Sequence, residues 1–166
     1  MALAVPRTWV VGEVVTAAYM NAEIRDQWND MLAAWTSYTP SWTASTTNPV
    51  LGNGTLVGRH KRIGRTVHVH IDLAIGSTTT LGSGSWSFTL PVQAAASGGN
   101  RVGVAQAVGA TRFGGQNVIS PGASATTPFF PASSAVSNLS AATATVPFAW
   151  AAANELRISF TYEAAS

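Results

Sequence analysis

Residues 66–75 read TVHVHIDLAI, and the alternation within this stretch decides the class of fold. Every second side chain is apolar, whereas those between are polar or small. Because successive side chains of a β-strand point to opposite faces, a period of two predicts a strand with one face in a core. The preceding TLVGRHKRI, followed by Gly64 and Arg65, predicts the partner strand of a hairpin. The apolar set of the first strand is Val67, Val69, Ile71, Leu73 and Ile75.

The same alternation recurs along the rest of the chain. It is present in SWSFTLPV at 85–92, in RVGVAQAVGA at 101–110 and in ELRISFTYE at 155–163. Segments rich in Gly, Ser, Thr, Asn and Pro separate these runs, as turns between antiparallel strands require. We therefore predict a mainly β fold, an antiparallel jelly-roll-like β-sandwich. The Ala/Ser/Thr-rich run at 132–145 lies between strands and is expected to be a long surface loop.

The first 36 residues have a different pattern. After Thr16, a good N-cap, large apolar side chains recur at spacings of 4, 4, 3 and 4: Met20, Ile24, Trp28, Met31 and Trp35. The spacing predicts one amphipathic α-helix of about five turns, preceded by an N-terminal arm. We accordingly divide the chain into an arm and helix at 1–36 and a β-sandwich domain at 37–166. Two roles for the wide apolar stripe remain open, covering the chain's own sheet or packing against copies of itself.

Composition limits the environments that suit the protein. The 166 residues include no Cys, which excludes disulfides, thiolate metal sites and Cys nucleophiles. Only 10% of residues are charged, against about 25% in a typical globular protein, so the surface suits an assembly better than a free monomer. No apolar run approaches the ~18 residues of a membrane span, so no membrane partner is expected. Charge is uneven: residues 1–35 hold four acidic and two basic residues, and the remainder holds three acidic and seven basic.

Few side chains have the arrangement that catalysis needs. The β-region offers three carboxylates, Asp72, Glu155 and Glu163, and at about 3.3 Å per residue the two glutamates lie about 26 Å apart on one strand. The chain holds no G-x-S-x-G sequence, and GNGTLVG at 52–58 lacks the spacing of a dinucleotide-binding loop. We expect no enzymatic activity and no cofactor. The basic run RHKRIGR at 59–65 has no aromatic ladder or groove-reading helix beside it, so nucleic acid is not an expected partner.

His68 and His70 are weak candidates for metal binding. Both point to the polar face of the predicted strand, with Asp72 two residues further on. Within one chain the pair is an incomplete site, whereas three chains around a threefold axis would supply six imidazoles, enough for an octahedral transition metal. We favour the alternative that the histidines fill the solvent face of a half-buried strand, because isolated H-x-H pairs are common. No metal is therefore predicted.

The sequence TPFFP at 127–131 is a candidate contact loop. Two adjacent Phe residues between prolines cannot both face inward from a regular strand. We therefore predict that Phe129 and Phe130 belong to an exposed apolar loop that contacts a ligand or a partner.

The N-terminal segment also resembles a known group of proteins. RTWVVGEVVTAAYMNAEIRDQWNDM at 7–31 resembles the segment W-x-x-G-E-x-V-T-A-x-x-M-N-x-x-I-R-D of many minor tail and fibre-like proteins of phages of actinobacteria. The later YTPSW, NPVLGNGT and GSGSWSFTLP are similar to the β-domain that commonly follows this segment. The matching residues of the first segment are Trp9, Gly12, Glu13, Val15, Thr16, Ala17, Met20, Asn21, Ile24, Arg25 and Asp26.

The resemblance implies a structural virion surface protein, a homotrimer made in the host cytoplasm. Its N-terminal segment would dock on major capsid or tail proteins while the β-domain faces outward. The resemblance leaves open whether the role is that of a minor tail or fibre protein or of a capsid decoration or head-fibre protein. A receptor-binding adhesin module that recognises host cell-wall carbohydrate is the alternative function. The residues implied in docking and trimerisation are Trp9, Met20, Ile24, Trp28, Met31 and Trp35.

Overall fold

The computed structural model describes residues 6–132 and 138–165 of the chain. In this part the chain forms one N-terminal helix of 16 residues followed by ten strands. Strands hold 46% of the residues and helix holds 10%, so the predicted mainly β fold is confirmed. Within the same residues, no helix combines the length and the apolarity needed to cross a lipid bilayer.

The helix consists of three consecutive segments, α1 (Ala17–Met20), a π-helical turn (Asn21–Arg25) and α2 (Asp26–Leu32). Thr16 caps it as predicted, because its side-chain oxygen accepts a hydrogen bond from the backbone N–H of Tyr19 at 3.3 Å. Successive four-residue steps drift around a regular helix of about 3.6 residues per turn, and the wider π turn offsets part of this drift. The apolar stripe of Met20, Ile24, Trp28 and Met31 crosses this π-helical turn.

The helix is shorter than the predicted five turns. It ends at Leu32, and Ala33 already has an extended backbone with φ −56° and ψ 150°. The first strand begins at Thr36, so Trp35 lies in the connection and not on the helix. The prediction that Trp35 continues the helical stripe is wrong, because pairing of the first strand with the sheet takes the chain out of the helix before that residue.

The ten strands form one antiparallel sheet. They are β1 (Thr36–Tyr38), β2 (Trp42–Ala44), β3 (Thr55–Ile63), β4 (Thr66–Ala74), β5 (Trp86–Thr89), β6 (Arg101–Val108), β7 (Arg112–Ile119), β8 (Ala125–Pro131), β9 (Leu139–Ala141) and β10 (Glu155–Glu163). Their order across the sheet is β1-β3-β4-β10-β6-β7-β8-β5-β2, and β9 pairs with β8. The predicted hairpin of β3 and β4, with its turn at Gly64 and Arg65, is confirmed.

The sheet curls until its two edges approach each other. β1 and β2 are at opposite edges, although only residues 39–41 separate them in the chain. The hydroxyl of Tyr38 donates to the Thr89 carbonyl oxygen at 3.4 Å across this closure, and the Ser41 N–H donates to Thr89 Oγ1 at 2.8 Å. The predicted antiparallel β-sandwich-like fold is thus confirmed. Its jelly-roll connectivity and the domain boundary at residue 36 stay predictions.

The core lies inside this curl. Trp86 of β5 is fully buried, and its ring centroid lies 4.8 Å from that of Trp42 and 5.2 Å from that of Trp150. The indole N–H of Trp86 donates to the Leu81 carbonyl oxygen at 3.1 Å, so the core ring is also satisfied as a donor. The apolar set predicted for β4 is buried throughout: Val67, Val69, Ile71, Leu73 and Ile75.

Strand β6 turns its large side chains outward. Val102 and Val104 are 58% and 66% exposed, whereas Ala105 and Ala107 are buried. A Cβ on Gly103, on the same inner side as the two alanines, would lie 2.4 Å from the Cβ of Phe160. The bulky residues of β10 therefore fill the space inside β6, and only small residues fit there.

The expected surface loop at 132–145 is partly a strand. β9 lies within it and pairs with β8, and Ala142 is fully buried. Residues 133–137 of the expected loop lie outside the described residues.

Candidate interaction surface

The leader, defined as residues 6–35, carries most of the uncovered apolar surface. Of the 17 large apolar side chains that are exposed among the described residues, 12 belong to the leader. Its helix contributes no buried residue at all. The leader is therefore the candidate interaction surface. The twelve side chains, called the leader surface below, are Trp9, Val10, Val11, Val14, Val15, Tyr19, Met20, Ile24, Trp28, Met31, Leu32 and Trp35.

The leader surface has the size of a stable protein interface. Its side chains are exposed by 40% to 106%, so they present on the order of 1,000 Å² if each offers roughly 150–200 Å² when fully exposed. Stable interfaces bury about 800 Å² on each partner, whereas the largest apolar patch of a typical monomer is about 300–600 Å². The summed apolar area of the leader surface is thus comparable with what one partner buries in a stable interface.

Arg7 folds the arm back onto the helix. Its guanidinium carbon lies 4.9 Å from the ring centroid of Trp9 and 4.2 Å from that of Tyr19, which is cation–π geometry. Arg7 also forms an ion pair with Glu13, and its backbone N–H donates to Glu23 Oε2 at 3.1 Å. These contacts, called the Arg7 clip below, tie the arm to the first turns of the helix.

The folded arm ends in an apolar tip. Gly12 has a φ of +83°, a conformation that L side chains rarely adopt, and the Glu13 N–H donates to the Val10 carbonyl oxygen at 3.1 Å. The resulting turn separates two pairs of adjacent valines, all of them exposed: Val10, Val11, Val14 and Val15. The tip adds to the helical stripe, and sequence periodicity did not reveal it because the arm follows no regular period.

Lys61 of β3 joins the leader to the outer face of the sheet. Its ammonium donates to the carbonyl oxygens of Asp30 at 2.7 Å and of Ala33 at 2.6 Å, which satisfies the end of the helix. The ring centroid of Trp35 lies 4.8 Å from that of His70 on β4. Among the described residues, a polar cap and a ring contact thus link the leader to the sheet.

All residues predicted for docking and trimerisation are exposed in the chain. The structure brings most of them together on the helix and arm, with Trp35 on the connection to β1. Their role in docking or trimerisation stays a prediction. They are Trp9, Met20, Ile24, Trp28, Met31 and Trp35.

The two histidines of β4 lie on the outer face of the sheet, as the alternation predicted. His68 Nδ1 lies 2.9 Å from the Thr161 hydroxyl oxygen, and His70 packs against Trp35. Among the described residues, no group of three or more His, Cys, Asp or Glu side chains comes together to hold a metal ion. Both histidines are thus engaged by neighbours within the chain, and metal binding between chains stays a hypothesis.

The predicted contact loop of Phe129 and Phe130 is a strand. Both residues belong to β8, and Phe130 is fully buried in the core, so the prediction that it is exposed is wrong. The premise that two adjacent Phe side chains cannot both face inward is correct, but alternation on a strand sends one to each face. Phe129 is partly buried on the outer side, opposite Gln116 of β7, and its contact with a partner stays a prediction.

The outer face of the sheet holds a second uncovered strip that the sequence analysis missed. Val102 and Val104 lie on it, and in the register Val104 is opposite Ser159 of β10, which is opposite His70 of β4. A shallow depression of about 390 Å³ adjoins Val104 between these strands, with Asp72, Gln106 and Arg157 among its lining. We call Val102, Val104 and this depression the β6 strip. Local sequence held no signal for the β6 strip, because the small residues of β6 face inward only where Phe160 of β10 fills the space beside Gly103.

Two of the three carboxylates of the β-region form ion pairs with arginines. Arg157 forms an ion pair with Glu155, and an Arg65 guanidinium nitrogen lies 3.0 Å from Glu163 Oε1. Burial raises the pKa of Tyr162 to about 12, although its hydrogen bond with Val92 and the charge of Arg62 act in the opposite direction. Burial also lowers the pKa of His60. These two rings belong to the sheet packing, so their shifts report burial and not a reactive cleft.

The chain is similar to a protein of Haemophilus influenzae described as "Mu-like prophage FluMu defective tail fiber protein". The two sequences are 31% identical over 163 residues, which make up 94% of this chain and 25% of that protein. The chain thus spans about a quarter of the length of the relative that it matches. No family model and no solved structure matches the chain. The similarity supports a relationship with phage tail-fibre proteins, without bearing on an actinobacterial origin or on the N-terminal pattern of the resemblance.

Proposed function

We propose that this chain is a structural, non-enzymatic component of a bacteriophage tail, of the tail-fibre type, that assembles as a homotrimer at the particle surface. The leader attaches the chain, and the β-body, defined as residues 36–165, faces outward. One observation carries the proposal: the β-body closes its own core, whereas the leader holds 12 of the 17 exposed large apolar side chains among the described residues.

The tail is a better location than the head on the present observations. The similar Haemophilus protein is described as a tail fiber protein, and the match extends over nearly the whole of this chain. A capsid decoration or head-fibre role has no such support. The chain is made in the host cytoplasm, and its docking partner is a tail protein of the virion.

Self-association is supported by area and by charge. The leader surface sums to about 1,000 Å² of exposed apolar side chains, which is comparable with the area that one partner buries in a stable interface. Only 10% of residues are charged, so little of the surface opposes close contact with other copies. We therefore place the leader surface between copies and against the tail.

The receptor-binding alternative has weaker support. Stacking of sugars needs exposed aromatic rings. In the described part of the β-body the exposed large apolar side chains are aliphatic: Val50, Val57, Val102, Val104 and Leu139. Binding of host cell-wall carbohydrate would therefore have to rely on polar groups, and purified protein is expected to show no binding to actinobacterial cell walls at micromolar concentration.

Incorporation of a leader variant into particles tests the proposal. Trp28→Ser combined with Trp35→Ser removes two indoles from the leader surface and no core contact. The copy number of the variant in purified particles, measured by quantitative mass spectrometry, is expected to fall at least about tenfold. The thermal midpoint of the β-body is expected to stay within about 2 °C of the wild type.

A matched control comes from the β-body. Val50→Ser combined with Val57→Ser removes two exposed apolar side chains that lie outside the leader. This control is expected to enter particles at the wild-type level. Normal incorporation of the Trp28/Trp35 variant, or equal loss of both variants, would contradict attachment through the leader.

A further inference from the structure

We infer that the leader surface of one copy packs on the β6 strip of the next copy, so that each chain in the assembly is covered by its neighbour's helix. The inference rests on the self-association part of the proposed function and adds the surface that receives the leader. Its occupant is a second copy of this chain, and the contact joins two different surfaces, one on each copy.

The chain's own leader leaves both surfaces open. The helix buries no residue against its own body, and Trp28, at 57%, is the most exposed of its aromatic rings. The leader meets its own sheet at Lys61 and His70, near the end of the helix. Val104 stays 66% exposed, so the leader of the same chain does not cover the β6 strip.

The β6 strip has the shape and chemistry to receive an aromatic stripe. Val102 and Val104 occupy alternate positions of one strand, about 6.6 Å apart on the same face. Val118 of β7 is opposite Val102 in the register and extends the apolar patch by one strand. The depression beside Val104 lies between β6, β10 and β4 and offers an opening for an indole ring. Among the described residues of the β-body, Val102 and Val104 are the pair of exposed large apolar side chains that share one strand face.

Charge favours the β-body over a second leader as the occupant. The leader carries four acidic and two basic residues, whereas the remainder of the chain carries three acidic and seven basic residues. A bundle made of leaders alone would bring net negative charge together, and a contact of leader with body joins opposite net charges. Exposed Arg59 lies in the same row across the sheet as Val104, two strands beyond Ser159 of β10 and next to His70, which lines the depression together with Asp72 and Arg157.

A contact between two different surfaces forms a ring when the rotation from copy to copy closes, and the homotrimer of the proposed function is the three-membered case. Each copy gives one leader and receives one leader, so three copies leave neither surface open. A contact of leader with leader would satisfy the helices but would leave the β6 strip of every copy in water. The exchange of leaders therefore covers an apolar surface that a bundle of leaders leaves exposed.

Cross-linking between differently substituted copies tests the arrangement. The chain has no Cys, so a single introduced thiol reacts without background. Trp28→Cys and Val104→Cys are purified separately, mixed under conditions of subunit exchange, and treated with a short bismaleimide. The mixed adduct, identified by mass spectrometry of the linked peptides, is expected to exceed that of Trp28→Cys with Val50→Cys at least about tenfold, and Val50 is a matched control because it is 61% exposed.

A second measurement keeps the test independent of cross-linking geometry. Val104→Asp places a charge in the β6 strip at an exposed position, so the fold tolerates it, and Val50→Asp places the same charge outside the strip. Sedimentation is expected to show at least about a hundredfold weaker self-association for Val104→Asp and less than about a threefold change for Val50→Asp.

Each contrary outcome identifies what has failed. If Trp28→Cys cross-links chiefly to itself and Val104→Asp still forms trimers, leaders pack on leaders and the inference is overturned, while the proposed function stands. A wild-type chain that stays monomeric at micromolar concentration overturns both the inference and the homotrimer. Loss of particle incorporation in the Trp28/Trp35 variant is measured separately, so attachment to the tail is judged without reference to the β6 strip.

Discussion

The leader and the β-body use the same kind of side chain in opposite ways. Trp86 of the β-body is fully buried and donates its indole N–H to a carbonyl oxygen, whereas Trp28 of the leader is 57% exposed. Both residues belong to clear apolar periodicities, one of period two and one of helical period. Periodicity therefore identifies an apolar face in each region. The apolar face of the β-body is covered by other residues of the same chain, whereas that of the leader is not.

The two regions are also held together differently. The β-body rests on a continuous ladder of antiparallel strands around a packed core. The leader is held by the Arg7 clip, the Thr16 cap, the Lys61 cap and the contact of Trp35 with His70, all at exposed or partly exposed sites. Because such contacts contribute little free energy individually, we expect the leader of an isolated chain to open long before the β-body does.

Removal of a core indole is expected to have the largest effect. Trp86→Ala deletes a fully buried ring that packs against Trp42 and Trp150, and the surrounding sheet cannot collapse to fill the space. The free energy of unfolding is expected to fall by about 3–5 kcal/mol, measured by urea denaturation.

The matched change in the leader sharpens the contrast. Trp28→Ala removes the same side chain from an exposed site, so at concentrations where the chain is monomeric its free energy of unfolding is expected to change by no more than about 0.5 kcal/mol. Equal destabilisation by the two substitutions would show that the helix belongs to the core, against the division into leader and β-body.

Alkaline pH is expected to act on the β-body through Tyr162. Its hydroxyl donates to the Val92 carbonyl oxygen at 2.6 Å, and burial raises its pKa from 10.0 to about 12. The unfolded chain loses this proton near pH 10, before the folded chain does. The contribution of the protonated Tyr162 hydroxyl to the free energy of unfolding is therefore complete below pH 10 and is lost as the pH rises towards 12.

Two tyrosine variants measure this contribution in each region. Tyr162→Phe is expected to lower the free energy of unfolding by about 1–2 kcal/mol at neutral pH and to make the loss between pH 10 and 12 less steep. Tyr19→Phe in the leader keeps the ring that stacks on Arg7 and is expected to change neither quantity measurably. If the stability of Tyr162→Phe depends on pH as the wild type does, Tyr162 is not the source of the alkaline loss. Tyr38, whose pKa is also raised by burial, would then be the residue to test.

The sequence predicts the fold best where the large apolar side chains of a strand all lie on its buried face. In β4 every second residue is large and apolar, so the strand and its buried face follow directly from residues such as Val67 and Ile71. In β6 large and small residues alternate, and the small face is the buried one because Phe160 occupies the space beside Gly103. Which face of β6 is buried therefore depends on Phe160, a residue far away in the chain, and the local sequence pattern does not reveal it.

The candidate interaction surface is predictable only where it follows a regular period along the chain. The helical stripe is visible in the spacing of Met20, Ile24, Trp28 and Met31, and all four are exposed together. The Arg7 clip joins residues of an irregular arm to the helix, and the β6 strip depends on the inversion of β6, so neither follows from local spacing. For Phe130, the adjacent prolines suggested a loop, but pairing with β7 and β9 outweighed that local signal.

Loosening the arm is expected to have a smaller effect than the changes in the β-body. Arg7→Ala removes the ring contacts and the ion pair with Glu13, so the arm should detach from the helix at a cost of about 1 kcal/mol. Hydrogen exchange of the Glu13 amide, which is bonded to the Val10 carbonyl oxygen, is expected to become roughly fivefold faster. Arg25→Ala is the control, since Arg25 pairs with the adjacent Asp26 and does not touch the arm in the described structure. Equal acceleration in both variants would indicate a general charge effect on the helix and not a clip.

The smallest effect is expected where the leader meets the sheet. Lys61→Met keeps the aliphatic stem but removes the ammonium that donates to the carbonyl oxygens of Asp30 and Ala33. A cation at a helix C-terminus contributes about 0.3–1 kcal/mol, so exchange of the amides in the last turn of α2 should become about two- to fivefold faster while the β-body amides keep their rates. Arg59→Met, two residues earlier on β3, removes a positive charge without removing a hydrogen bond to the helix and should leave those amides unchanged. If both substitutions act alike, the leader responds to the overall charge of β3. If only Lys61→Met acts, the ammonium of Lys61 couples the end of the helix to the sheet.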